Sequence, residues 1–320
     1  MKFQTEEILF SPTADCNLNC AHCDIQKSKL TLSKKLAQRF LRDAKRLGIK
    51  RVGFTGGEPF LAPDFIFSVV RTAVKEEMLF DRIMTNGAWY KNYSEAKTAL
   101  TKLYRAGYDG SICVSVDAFH KQALTKVARF IDMAVSIWRR PDVVSIACVV
   151  GARDSLTKKR LQTLSGLLNA DLVGFETAHP YIKNDNLSVK ISKIDLSPIG
   201  KASRLRKCWL GTWFREDYCK GPGNVFFVGP SGDVKPCCGY AIDSKDLSIG
   251  NIKRDSARRI AKRAEENRFV FTVFNKGLTK IRKRLEGLKV KFPGKASNHC
   301  FFCNYILTRV PRPVLYKCLD

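Results

Sequence analysis

Near the start of the chain, "TADCNLNCAHCDI" (13–25) places Cys16, Cys20 and Cys23 within eight positions. On a loop that follows a strand, this spacing lets three thiolates converge on one metal centre. Structural zinc sites close with four ligands, often as paired C-x2-C knuckles, whereas reactive centres keep a position open. Three thiolates on a cubane [4Fe–4S] cluster leave one iron unligated. A zinc ion at the same loop would need a fourth ligand, and His22 stands within reach along the sequence.

A second thiol group follows in the C-terminal part. Cys219 and Cys237 flank "VFFVGPSGDVKP", an apolar strand, a Pro-Ser-Gly-Asp turn and a returning strand. That hairpin brings its two ends together. "CFFC" adds Cys300 and Cys303, and four thiolates close a site that suits either an iron–sulfur cluster or zinc. Cys208, Cys238 and Cys318 remain over, while Cys113 and Cys148 stand alone in apolar runs. Twelve cysteines grouped in this way read as metal ligands in a reducing compartment before they read as disulfides. The N-terminal "MKFQTEEILF" is too acidic and too short in apolar residues for a signal peptide, and no run approaches a membrane span. The expected localisation is cytoplasmic, with no membrane partner.

The elements that must position these thiols alternate. Strands are expected at 7–14, 50–57, 81–87, 111–118, 143–152 and 170–178, with helical patterns between them such as 33–48 and 124–140. In 33–48, Leu36, Phe40, Ala44 and Leu47 fall on one stripe. Strand–helix units about 30 residues apart imply parallel strands with right-handed crossovers. Six units are too few for an eightfold barrel. The predicted fold is therefore α/β: a partial (β/α)6 barrel with a small C-terminal α+β cluster-binding domain. Its predicted division is 1–198 and 199–320, with "KNDNLSVKISK" (183–193) read as a polar linker. In such folds chemistry gathers at the C-terminal ends of the strands. Those ends read "TADC", "TGGEP", "TNG", "SVDAFH", "VGARD" and "ETAHP", which together form a polar rim.

With "CNLNCAHC" followed by "FTGGEP" (54–59), the first domain resembles the radical S-adenosylmethionine (SAM) enzymes. The resemblance implies that Cys16, Cys20 and Cys23 hold a [4Fe–4S] cluster and that SAM chelates its open iron. It implies that His22 packs beside the cluster and SAM. Gly56, Gly57 and Glu58 would receive the SAM ammonium, and Thr85 and Asn86 its carboxylate end. Ser115 and Asp117 alternate on one strand face as a ribose-binding pair, and Val150 and Gly151 match where the adenine rests. Family membership implies reductive cleavage of SAM to methionine and a 5′-deoxyadenosyl radical, which takes hydrogen from the substrate. Asp117, His120, Glu176 and His179 follow the fourth and sixth strands and are the candidate acid–base groups, because a histidine there can take the proton released on substrate oxidation.

"LSPIGKA" (196–202) and "LSIGNI" (247–252) resemble segments flanking the auxiliary-cluster domains of this family, the seven-cysteine SPASM form and the shorter twitch form. The SPASM pattern places two more cysteines after C-x2-C, where this chain has Arg309 and Pro313. That departure points to one auxiliary [4Fe–4S] cluster on Cys219, Cys237, Cys300 and Cys303.

The formal charge is +26, from 56 basic and 30 acidic residues. The segment 253–291 alone carries 14 basic against 4 acidic side chains. An anionic partner is therefore expected. The function read from the chain is radical cleavage of SAM, with an auxiliary cluster aiding oxidation or modification of a peptide or an anionic small molecule. An electron donor such as flavodoxin or ferredoxin is the expected protein partner. The start of the chain at its first strand leaves no room for a leader-peptide recognition domain, which weighs against a peptide. Two alternatives stand beside this reading. One is modification of nucleic acid, since "RFVFTVF" (268–274) sets aromatic residues among cations. The other is a non-catalytic iron–sulfur redox or regulatory protein, and the intact "GGEP" argues against it.

Overall fold

The computed structural model describes residues 5–151, 155–204, 209, 211–215, 221–241 and 243–319. The first part alternates β1 (Glu7–Phe10), α1 (Lys34–Arg46), β2 (Arg51–Phe54), α2 (Pro63–Lys75), β3 (Leu79–Thr85), α3 (Tyr93–Arg105), β4 (Ser111–Ser115), α4 (Leu124–Trp138), β5 (Val144–Val150) and α5 (Ser155–Leu167). Then come β6 (Asp171–Val173), β7 (Tyr181–Asn184) and β8 (Leu187–Asp195). Strands β1 to β5 and β8 pair in parallel, with Ile8 opposite Val52 and Phe10 opposite Phe54 at the first contact. The buried strand face packs on the helices: the Phe10 ring meets Phe65 of α2 edge-on at 5.8 Å. In α1, Ala37, Phe40, Leu41 and Ala44 are the buried face. Leu36 and Leu47 pack at its margin.

The sixth parallel strand differs from the expectation. The stretch 170–178 forms only the short β6, which lies at the sheet edge antiparallel to β7. The strand that pairs with β5 is β8, inside what reads as a polar linker. Leu187, Val189 and Ile191 are buried, while Lys190 and the residues from Ser192 to Asp195 are exposed. A strand with one wet face carries so many polar residues that its alternation is easily taken for loop.

After β8 the chain forms α6 (Gly221–Asn224), β9 (Val225–Val228), β10 (Asp233–Lys235), β11 (Gly250–Asn251), α7 (Ala257–Glu266), α8 (Arg268–Lys276), α9 (Leu278–Gly287), α10 (His299–Arg309) and α11 (Arg312–Lys317). The expected hairpin is β9–β10. It does not stand apart: β9 pairs in parallel with β1, so among the described residues one open sheet of eleven strands runs from β11 to β6. Ile249, Ile252, Ile260 and Ala264 accordingly join the main core. A second core gathers Phe269, Val273, Ile281, Phe302, Ile306 and Leu315 from α8 to α11. In "RFVFTVF", Phe269 and Phe274 are buried and Phe271 is exposed. Among the described residues, no helix is long and apolar enough to cross a membrane.

Candidate functional site

The cysteine loop leaves the end of β1 and crosses the end of β2. The crossing is close, because Gly57 N donates to Thr13 O at 2.9 Å and Glu58 N to Asp15 O at 2.7 Å. A Cβ on Gly57 would stand 2.0 Å from Asp15 O, and one on Gly56, whose φ is +118°, 2.3 Å from Ser11 Oγ. The glycines thus admit the cysteine loop itself against the β2 end. Lys27 Nζ donates to Cys16 O and Leu18 O, and Asn17 and Asn86 pair their side-chain amides at 2.8 Å. Neither Lys27 nor Asn17 stands out in the sequence, because each acts through a partner that only the fold supplies.

Glu58 is the buried carboxyl of this group, 1% exposed. Its Oε1 accepts from Thr85 Oγ1 at 2.8 Å and Phe60 N at 3.2 Å, and its Oε2 from Asn86 N at 2.7 Å. Thr85 and Asn86 therefore hold Glu58. Burial pushes this carboxyl up to about 7 even against those three donors. Burial likewise pushes the Cys20 thiol up to about 12, with the neighbouring Cys23 and Cys16 adding to it, and burial raises Cys16.

Across the mouth, Asp117 is fully buried at the end of β4. Its Oδ1 accepts from Phe119 N and His120 N at 2.8 and 3.0 Å, and its Oδ2 from Val149 N at 3.1 Å. His120 Nδ1 lies 2.8 Å from Asp117 Oδ1, without the alignment of a hydrogen bond. Burial would raise the Asp117 carboxyl, but His120, His22 and the Val149 N–H outweigh it and hold it below its ordinary value. The His22 and His120 rings meet edge-on at 4.8 Å, and Phe119 lies 5.2 Å from His22. Burial and the facing His120 lower His22 to about 4. Its Nδ1 is buried with no hydrogen-bond partner among the described residues.

The fold brings His22, Asp117 and His120 into one cluster. It does not bring the other two acid–base candidates there. Glu176 is exposed and paired with Lys158 at 2.6 Å, and His179 is exposed on the β6–β7 turn. Ser115 is half-buried, and its carbonyl accepts from Gln122 Nε2. Val150 ends β5 and Gly151 follows it, and a Cβ on Gly151 would meet nothing among the described residues within 4 Å.

The donor set fits a thiolate-bound cluster. Three thiols share one loop, and two of them resist ionisation through burial, with the nearby thiols adding to this at Cys20. A cationic metal centre removes that resistance, because metal ligation deprotonates a coordinating thiol outright. The buried carboxylate of Glu58 and the orphaned His22 Nδ1 leave groups ready for a polar, cationic ligand beside it.

In the C-terminal part, Cys300 and Cys303 lie one turn apart on α10. A Cβ on Gly239 would stand 3.0 Å from Cys300 Sγ and 3.5 Å from Cys237 Sγ, so both thiols converge there. Cys219, the expected fourth ligand, lies outside the described residues, as does Cys208. Cys238 is exposed and Cys318 is buried in the second core.

Comparison with known proteins agrees with these features. Residues 10–147 match the radical SAM superfamily and residues 219–285 an iron–sulfur cluster-binding domain of SPASM type. The chain is similar to a probable GTP 3′,8-cyclase of Pyrococcus abyssi, 29% identical over 123 residues, 38% of this chain and 37% of that protein. It is also similar to a PqqA peptide cyclase of Rhodopseudomonas palustris, 24% identical over 261 residues, 72% of this chain and 66% of that protein. The chain thus spans only about a third to two thirds of the length of these relatives. In fold it resembles anSMEcpe bound to AdoMet and the Cp18Cys peptide, at 15% identity, 98% coverage of both chains and a TM-score of 0.55.

Proposed function

Because the chain belongs to the radical SAM superfamily and carries a SPASM-type iron–sulfur domain, we propose that this enzyme cleaves SAM reductively to modify a peptide. Cys16, Cys20 and Cys23 would hold the [4Fe–4S] cluster. When bound and reduced, that cluster supplies the electron that breaks the SAM C–S bond to give methionine and a 5′-deoxyadenosyl radical, which takes hydrogen from substrate. The remaining work belongs to side chains and positioning. Glu58, fixed by Thr85, Asn86 and Phe60, receives the SAM ammonium, and an adjacent positive charge favours its ionised form. His22 packs beside SAM, and the adenine rests at Val150 and Gly151. Asp117 holds the His120 backbone N–H and lies against its ring. His120 would accept the proton lost as the substrate radical is oxidised, with the auxiliary cluster as the group that would take the electron. The auxiliary cluster would rest on Cys237, Cys300 and Cys303, with Cys219 as the fourth ligand. Residues 1–198 would then form the SAM unit and 199–320 the auxiliary unit, although they share a sheet.

The observation that carries this reading is the cysteine loop seated on Gly56–Gly57–Glu58, with His120 across the mouth. The similarity to a peptide cyclase supports a peptide substrate. The net charge of +26 supports an anionic one and an acidic electron donor such as flavodoxin or ferredoxin. The test is anaerobic: reconstituted protein with dithionite and SAM is assayed for 5′-deoxyadenosine. Wild type should form it and Cys20→Ala should not. Equal yields from both, or none from wild type with its iron loaded, would remove the proposal.

A further inference from the structure

Outside the mouth, a cleft of about 480 Å³ lies between α1 and the segment following β11. Exposed Arg39, Arg42 and Arg46 line it from α1, and exposed Lys253 and Arg254 line it from the other wall. Its two acids are already engaged. Asp43 Oδ2 accepts from Ala257 N at 2.6 Å, and Asp255, its side chain 2% exposed, accepts from Asn251 N and Arg263 Nη1 at 2.9 Å. Arg39 Nη2 donates to Ile252 O at 2.6 Å and ties the walls together. The Arg46 and Lys253 side chains make no hydrogen bond or ion pair with the described residues. Buried Phe40 and Ile252 form an apolar floor.

We propose that this cleft binds an acidic segment of the peptide substrate, which rests on the peptide reading above. Arg42 meets Glu76 at 3.6 Å and Arg254 meets Asp255 at 3.9 Å, which leaves Arg46 and Lys253 uncompensated among five clustered cations. Such a cluster selects an anion, and arginine forks match carboxylates in pairs. The cleft is far roomier than one phosphate needs. Among the described residues no exposed aromatic ring lines it, since its Phe40 is buried, and such rings are the stacking platform that single-stranded nucleic acid uses. The helix start at Ala257 is filled by Asp43 and is not the anion site. Position fits as well. Ser11 N donates to Val228 O and Ile252 N to Gly232 O, so the Ile252 edge of the cleft lies at the sheet end that carries the cysteine loop. The cleft runs from there along α1 towards Arg46 and the start of β2. Helix α1 rises about 18 Å from end to end, and about six extended residues span that distance. A peptide held along α1 can therefore present its next residues to the mouth.

The test uses reconstituted full-length protein and a fluorescein-labelled twelve-residue peptide of Glu-Glu-Leu repeats, read by anisotropy across a salt series. A twelve-nucleotide RNA is the comparator. Arg46→Glu with Lys253→Glu reverses two cleft charges, and Lys283→Glu with Lys291→Glu makes the same change on exposed residues elsewhere. The cleft variant should bind the peptide at least about tenfold more weakly, about 1.4 kcal/mol, because it loses two attractions and adds two repulsive carboxylates, and the control less than about twofold. Equal weakening in both variants, no weakening in either, or cleft-dependent binding of RNA but not peptide would overturn the assignment. Formation of 5′-deoxyadenosine without peptide should be the same in both variants. If peptides bind the cleft yet none is modified, the peptide-substrate reading fails while the cleft stands. If a peptide is modified at the wild-type rate by the cleft variant, the cleft assignment alone fails.

Discussion

Replacing Gly57 by alanine puts the seating of the cysteine loop under the most direct stress. The added methyl would stand 2.0 Å from Asp15 O, about 1.4 Å inside ordinary contact, and 2.8 Å from Ala14 C. The obstacle is backbone, so no rotamer change relieves it. Either the loop lifts by more than 1 Å, carrying Cys16 with it, or the β2 end shifts and breaks the 2.7 Å bond from Glu58 N to Asp15 O. Overpacking of this kind costs about 1–3 kcal/mol, which the fold should survive. Displacement of a reacting group by about 1 Å costs on the order of 100-fold in rate. The assays are iron content after anaerobic reconstitution, 5′-deoxyadenosine formation and thermal unfolding. Gly57→Ala should stay folded, take up less iron at the N-terminal site and lose about two orders of magnitude in rate. Gly166→Ala, on helix α5, where the added methyl meets nothing among the described residues within 4 Å, should change neither. Full iron and full rate in Gly57→Ala would refute the idea that this crossing seats the thiols.

Three further outcomes are expected. Glu58 is held near 7 in the folded protein without SAM, against an ordinary value of 4.5. The folded state therefore keeps this proton longer than the unfolded chain, and its contribution to stability is full below about 4.5 and falls away as pH rises through 7. That amounts to about 3 kcal/mol, so urea unfolding of Glu58→Gln across this range should show a flatter pH slope than wild type. His120→Ala should lower product formation about 100-fold or more while 5′-deoxyadenosine still forms, whereas Asp117→Ala should also lower the unfolding midpoint, since it leaves the Val149, Phe119 and His120 N–H groups without their acceptor, at about 1–3 kcal/mol each if dry. Cys300→Ala should reduce iron from roughly eight to roughly four per chain, and Cys318→Ala should leave it unchanged.

Much of this site is legible in the sequence where the requirement is local. Three thiols on one loop, a Gly-Gly-Glu strand end and an alternating Ser115/Asp117 pair each show themselves within a few residues. What escapes is non-local or half-wet. Strand β8 hides because its solvent face is lysine and serine. Asn17 reaches Asn86 across 69 residues, and Arg39 reaches Ile252 across 213, so neither pairing shows in a linear pattern. Thr85 and Asn86 are polar strand-end residues, yet the Thr85 hydroxyl and the Asn86 backbone N–H turn inward to Glu58. Glu176 and His179 carry the right chemistry, but β6 is an edge strand and leaves them in solvent.

If three N-terminal thiolates leave one metal position for SAM, the EPR spectrum of the anaerobically reduced protein, recorded with and without SAM in wild type and in Cys300→Ala, will show it. Addition of SAM should change the signal in both proteins, and Cys20→Ala should lose the change. Spectra indifferent to SAM in protein carrying its full iron would contradict the account.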